Sequence, residues 1–189
     1  LERFYQTCER PLIVDCGANI GASALWFATR YARAAVVAVE PEPANFALLA
    51  RNAQKTEVVP VNGAVAGAPG MLSLIDPGLG SASFRTIASR ETPEGVSVRA
   101  YTIDELVALV PGSTPFVLKI DIEGAEDDLF RVPSAVMNAF PVVIIELHDW
   151  MLPGSASSRS FLRWHSNLNR DLVQSGENTF SISNDGLGA

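Results

Sequence analysis

Asp15-Cys16-Gly17-Ala18-Asn19-Ile20-Gly21 is the stretch whose reading decides the fold. It follows the apolar run Leu12-Ile13-Val14 and opens a segment with helical spacing. The order is therefore strand, glycine turn, helix start. Nucleotide-like cofactors bind at such turns, because glycines let a ligand approach the backbone and a helix start offers free N–H groups. Asp15 stands just before the first glycine, where a carboxylate repels a pyrophosphate and attracts an ammonium or sulfonium. Asn19 also occupies a position at which the dinucleotide fingerprint has a glycine. The turn therefore favours a cationic nucleoside, with S-adenosylmethionine the candidate.

Outward from this turn, strands and helices alternate. Ile20, Ala24, Phe27, Ala28 and Tyr31 place one apolar face on the first helix. Residues 35–39 form a second short buried strand. Glu40-Pro41-Glu42-Pro43 then signals a helix start, and Phe46, Leu49, Ala50 and Ala53 supply its inner stripe. Further strands are predicted over 58–61, 71–75, 96–101, 116–120, 141–147 and 179–183. Helices are predicted over 103–110 and from Glu126 to about Phe130. A late helix is marked by Phe161, His165, Leu168 and Leu172. Residues 76–94, rich in Gly, Ser, Pro and Thr, read as a long functional or mobile loop. This pattern is α/β, a mostly parallel central sheet with helices on both faces, with 1–189 as one domain. The turn signal Asn184-Asp185-Gly186 calls for a partner strand beyond it, so the carboxyl end reads as cut. The first residue is Leu1, not Met, which leaves room for an upstream segment.

Fourteen basic against 21 acidic residues give a net charge of −7, with no basic stripe, which disfavours a nucleic-acid partner. No apolar run reaches the ~20 residues of a membrane span, and no signal peptide is visible at the amino end. Cys8 and Cys16 form neither a metal spacing nor a disulfide framework. Cys16 reads as a small buried apolar residue, and a cytoplasmic location fits best.

Ligands of such sheets bind beyond the carboxyl ends of the strands. Asp15, Glu40, Asn62, Asp121 and His148 all fall at or just past predicted strand ends. Glu40, 25 positions after Asp15, is placed to accept hydrogen bonds from a ribose diol; Glu42 can serve the helix dipole instead. Asn62 and Ala64, flanking Gly63, lie where an adenine edge would follow. Asp121 has three open roles: binding the methionine moiety, acting as general base, or helping to hold a metal. Glu126 reads as a dipole cap. Glu146 and His148 share a strand face, and His148 is either a proton acceptor or a satisfied structural histidine. Asp121, Glu123, Glu146 and His148 could together ligate a divalent cation, but the spacing is not diagnostic, and no metal is assigned. His165 reads as core, and Trp26, Trp150 and Trp164 as packing residues. Ser81 and Ser83 read as ordinary loop serines.

Four motifs occur in the order found in FkbM-type methyltransferases: Asp15 to Gly21, Val39-Glu40-Pro41, the run from Leu118 through Lys119-Ile120-Asp121-Ile122-Glu123-Gly124-Ala125 to Glu126, and Ile145-Glu146-Leu147-His148. Over residues 10–150 the chain resembles that family. The resemblance implies a Rossmann-like class I methyltransferase fold and O-methylation of a hydroxyl on a small-molecule or glycan acceptor. It implies that Asp15, Gly17, Asn19 and Gly21 shape the methionine and ribose pocket and that Glu40 holds the ribose. Asp121, Glu123 and His148 would face the acceptor. A catalytically silent nucleoside-binding module and a nicotinamide-dependent oxidoreductase are the alternatives.

Overall fold

Buried backbone polar groups need partners, and in this chain the apolar runs supply them by pairing with one another. The structure, a computed structural model, describes residues 1–75, 85–88, 96–151 and 153–185. Helix α1 (Glu2–Thr7) precedes β1 (Pro11–Cys16), α2 (Ala22–Arg30), β2 (Ala35–Glu40), α3 (Pro43–Asn52) and β3 (Val58–Asn62). Next come β4 (Ala64–Val65), β5 (Gly70–Ile75), β6 (Arg85–Ala88), β7 (Val96–Tyr101) and α4 (Ile103–Ala108). Strand β8 (Thr114–Ile120), α5 (Glu126–Arg131), α6 (Ala135–Asn138) and β9 (Val142–Glu146) lead to α7 (Arg159–Ser166), β10 (Arg170–Ser175) and β11 (Asn178–Ser183).

Seven strands form one sheet in the order β10-β11-β9-β8-β1-β2-β3. The five from β9 to β3 are mutually parallel, and β11 runs antiparallel to both neighbours. All six residues of β1 are buried. Leu12, Val14 and Cys16 pack on one face with Leu118, Ile120 and Phe161; Ile13 packs on the other with Phe27, Leu49 and Phe116. Burial on both faces is why these strands read as unbroken apolar runs. Among the described residues, no helix is long and apolar enough to cross a membrane.

After β3 the chain returns across the sheet to place β8 on the other side of β1, so the carboxyl ends of β1, β2 and β8 frame the switch-point crevice. At this junction Gly17 has φ 81°. The Gly17 and Ala18 amides donate to Val39 O at 3.0 and 2.9 Å, and the Asp121 amide donates to Cys16 O at 3.0 Å. A side chain on Gly17 would stand 1.7 Å from the backbone oxygen of Asp121. Only a glycine lets the first turn lie this closely on the end of β8.

The structure departs from the sequence reading at several places. The late helix ends at Ser166, and Leu172, expected on its stripe, sits half exposed on β10. Strand β11 pairs with that preceding strand on one side and with β9 on the other. Gly176, at φ 60°, turns the hairpin, and the Arg170 guanidinium donates to the carbonyls of Phe140, Pro141 and Ser181. A second sheet, β4-β7-β5-β6, was not anticipated as a unit. Residues 85–88 of the expected loop form β6, while Ser81, Ser83 and Gly186 lie outside the described residues. Trp164 is buried and donates to Asn138 Oδ1; Trp26 is exposed but packs edge-on against Phe27 and Tyr31, and Trp150 is exposed. His165 is half-buried, with Nδ1 2.9 Å from Ser181 Oγ. Cys16 is buried, and burial raises its thiol pKa strongly.

Gly17→Ala should destabilise the protein by at least ~1–3 kcal/mol from the left-handed backbone alone, with the backbone clash adding to it. Thermal unfolding measures this; an unchanged melting temperature would show that the turn relaxes freely.

Candidate active site

A crevice of about 160 Å³ opens at the carboxyl ends of these strands. Gly17, Asn19, Glu40, Ala64, Asp121 and Glu123, all singled out from the sequence, line it together with Glu146. Gly63, between Asn62 and Ala64 at the expected adenine edge, lines it too, and Val39, Pro41, Asn45, Val65 and Ile122 complete the lining without having been anticipated as site residues. Their signal was adjacency, since each neighbours a strand-end residue or lies on the helix that Glu42 caps.

Glu40 ends β2 and is 5% exposed. Its Oε2 accepts from the Asn19 amide at 2.8 Å and its Oε1 from the Glu42 amide at 3.0 Å. Asn19, with φ 51°, turns its amide inward to make that bond. Burial raises the Glu40 pKa above the usual carboxylate value, although the Glu42 and Asn19 amides and the Asn45 side chain pull the other way. Asn62 does not line the crevice; its Nδ2 donates to the Glu40 carbonyl at 3.1 Å. Gly21 does not line it either. It caps α2 at φ 92°, where a side chain would stand 2.7 Å from Leu49 Cδ1.

Asp15 requires a correction. The sequence placed its carboxylate at the mouth of the turn, toward a ligand. The structure buries it completely, outside the crevice lining. Ser23 Oγ donates to its Oδ2 at 2.5 Å, and Lys119 Nζ stands 3.3 Å from its Oδ1. The reason is strand alternation: Asp15 shares the face of Ile13, beneath α2, directly across from Lys119 on β8. The same Lys119 Nζ lies 3.4 Å from Asp121 Oδ2 at the crevice. One ammonium thus joins the buried acid to the exposed one. Burial pushes the Asp15 carboxyl up against the pull of Lys119 and Ser23. Burial lowers the Lys119 pKa, but Asp15 and Asp121 more than offset it and leave it above the ordinary lysine value.

The opposite wall of the crevice is a cluster around His148. This residue is 2% exposed and does not line the crevice itself. Its Nδ1 stands 2.7 Å from Glu126 Oε1. Glu126, expected to cap a dipole, does stand in the first turn of α5 and accepts from the Gly124 amide at 3.2 Å, but it is also fully buried behind the imidazole. His148 Nε2 faces Glu146 Oε1 at 3.5 Å, Asp121 Oδ1 at 3.8 Å and Glu123 Oε2 at 3.8 Å. Burial lowers the His148 pKa, but its contact with Glu126 and the charges of Glu126, Glu123 and Glu146 leave it raised. Burial likewise raises Glu123 and Glu146.

Residues 15–172 match the family model described as the methyltransferase FkbM domain. The chain belongs to the FkbM methyltransferase family. It is 26% identical over 147 residues to the hexuronic acid methyltransferase AglP of Haloferax volcanii, a match spanning 77% of this chain and 59% of that protein. A solved structure from Staphylococcus aureus, assigned as a caffeoyl-CoA O-methyltransferase, superposes with a TM-score of 0.50 at 11% identity, covering 96% of this chain and 81% of the other. The fold is accordingly the Rossmann-like class I methyltransferase fold of this family.

Lys119→Met should destabilise the protein by about 3–5 kcal/mol, because it strands a buried acid. The double variant Asp15→Asn/Lys119→Met should recover a large part of that loss. Denaturant unfolding of the four-member cycle is the measurement; strict additivity would mean the two groups do not act as a pair.

Proposed function

We propose that this chain transfers the methyl group of S-adenosylmethionine to a hydroxyl oxygen of a sugar-containing acceptor. The observation that carries the reading is a crevice with two different walls. Glu40 stands on one, held by backbone amides, with lone pairs left for a ribose diol. Asp121, Glu123 and Glu146 stand on the other. Gly63 and Ala64 extend the first wall toward an adenine.

When bound, the cofactor supplies a methyl group already activated on a sulfonium. The acceptor oxygen would bond to that carbon as the carbon–sulfur bond breaks, with the electron pair returning to sulfur. The hydroxyl proton passes to Asp121 on the second wall or to His148 behind it, with Glu123 beside them. Alignment in the crevice is worth roughly 7–11 kcal/mol of barrier, and a base adds ~10²–10⁴-fold. Positioning therefore dominates. An acidic wall suits a hydroxyl better than an anionic nucleophile. The relative that acts on hexuronic acid supports a sugar acceptor.

Incubation with methyl-labelled S-adenosylmethionine and a panel of glycosides, hexuronic acids included, tests this by mass spectrometry. Labelled acceptor together with S-adenosylhomocysteine is expected. Cofactor binding without transfer to any acceptor would favour the silent module, and binding of a nicotinamide dinucleotide in its place would overturn the reading.

Glu40→Gln should weaken cofactor binding by about ten- to a hundredfold. Because the Glu40 pKa is raised, wild-type affinity should be full above that pKa and decline as pH falls through it, at a higher pH than for an ordinary carboxylate. Calorimetric titration should find this decline absent in Glu40→Gln; an identical pH profile in both proteins would remove Glu40 from the ribose.

A further inference from the structure

We infer that Asp121, Glu146 and His148 form a divalent-cation site on the acceptor wall, with Glu123 as a further oxygen donor and Glu126 orienting the imidazole from behind. One ligand atom from each of Asp121, Glu146 and His148 lies within 4.8 Å of the others. The decisive feature is the gap around Nε2. His148 is 98% buried, yet Nε2 makes no hydrogen bond among the described residues. Its three carboxylate neighbours stand 3.5, 3.8 and 3.8 Å away. A proton on Nε2 would draw a carboxylate to about 2.7–2.9 Å. By contrast, donors ~2.1 Å from a shared octahedral ion stand ~3.0 Å apart when adjacent and ~4.2 Å when opposite, a range that brackets these distances. The spacing fits an ion and is too wide for a proton.

The far side of the ring supports this. Nδ1 lies 2.7 Å from Glu126 Oε1, and Glu126 is fully buried. When Nδ1–H donates to that carboxylate, Nε2 carries the lone pair. That lone pair then points into the space between three anionic oxygens, an arrangement that a bound cation relieves. A carboxylate behind a histidine is the usual way that metal-binding imidazoles are fixed. Three oxygens and one imidazole nitrogen suit Mn²⁺ or Mg²⁺ better than a soft ion. The cation would hold the acceptor hydroxyl and lower its pKa. The proton would then leave to a cluster carboxylate, and His148 would serve as ligand rather than base. The site stands on geometry alone; this role rests on the methyl-transfer reading.

Mn²⁺ titration of the whole chain, followed by the paramagnetic resonance signal of the free ion, tests the site without any turnover. Saturable binding of one Mn²⁺ per chain, displaced by excess Mg²⁺, is expected. Glu126→Gln should weaken binding about 10–100-fold, and Glu146→Gln and His148→Asn at least as much. The far-ultraviolet circular dichroism of each variant should match wild type, which reports an intact fold. Asp104→Asn, on α4, should bind Mn²⁺ as wild type does. Absence of saturable binding, or binding unchanged in both Glu146→Gln and His148→Asn, overturns the site. Methyl transfer that survives chelation unchanged overturns the cation's role and leaves the transfer reading standing. Mn²⁺ binding in a protein that transfers no methyl group keeps the site and overturns the transfer reading alone.

Discussion

The contact between the first turn and the backbone of Asp121 is the constraint on which the rest of the site depends. Gly17 lies against the Asp121 carbonyl with no space for a side chain. The Asp121 amide is tied to Cys16 and the Gly17 amide to Val39. Three strand ends are thereby locked at one junction. Glu40 projects from β2 on one side, and Asp121 leaves β8 on the other. The separation between the wall that carries Glu40 and the acidic wall is therefore set by backbone packing, not by mobile side chains. That is the kind of placement that in-line transfer between two bound molecules requires.

Electrostatics reinforce the junction. Lys119 sits between a fully buried carboxylate and one at the crevice. Asp15 helps to hold Lys119 in place, and Lys119 in turn holds one oxygen of Asp121. The other oxygen of Asp121 remains directed at His148. Asp15 thus influences the site through two intermediates rather than by touching a ligand. Ser23 at the start of α2 completes the coordination of that buried acid, which links the helix following the glycine turn to the same network.

Much of this was legible in the amino-acid order. Strands β1, β2 and β8 are buried on both faces, so each reads as an apolar run ending in a polar residue. The places of Glu40 and Gly17 at the crevice followed from where those runs stop. Asp15 was misjudged because its charge was considered without its parity. It shares a face with Ile13, and a lone lysine within the otherwise apolar β8 signalled that a buried acid was needed opposite. The contact of Glu126 with His148 was missed because an acid opening a helix looks the same in sequence whether it only caps a dipole or also supports a histidine. The hairpin of β10 and β11 was lost because Leu168 and Leu172 mimic helical spacing, although Gly176-Glu177 marked the turn. The second sheet depends on pairings between β5 and β7 that no local pattern specifies.

The most direct test of the account is a crystal structure with S-adenosylhomocysteine bound. Both ribose hydroxyls should lie within hydrogen-bonding distance of Glu40, with the sulfur turned toward the wall of Asp121, Glu123 and Glu146. A ribose placed away from Glu40, or a sulfur facing away from that wall, would contradict it.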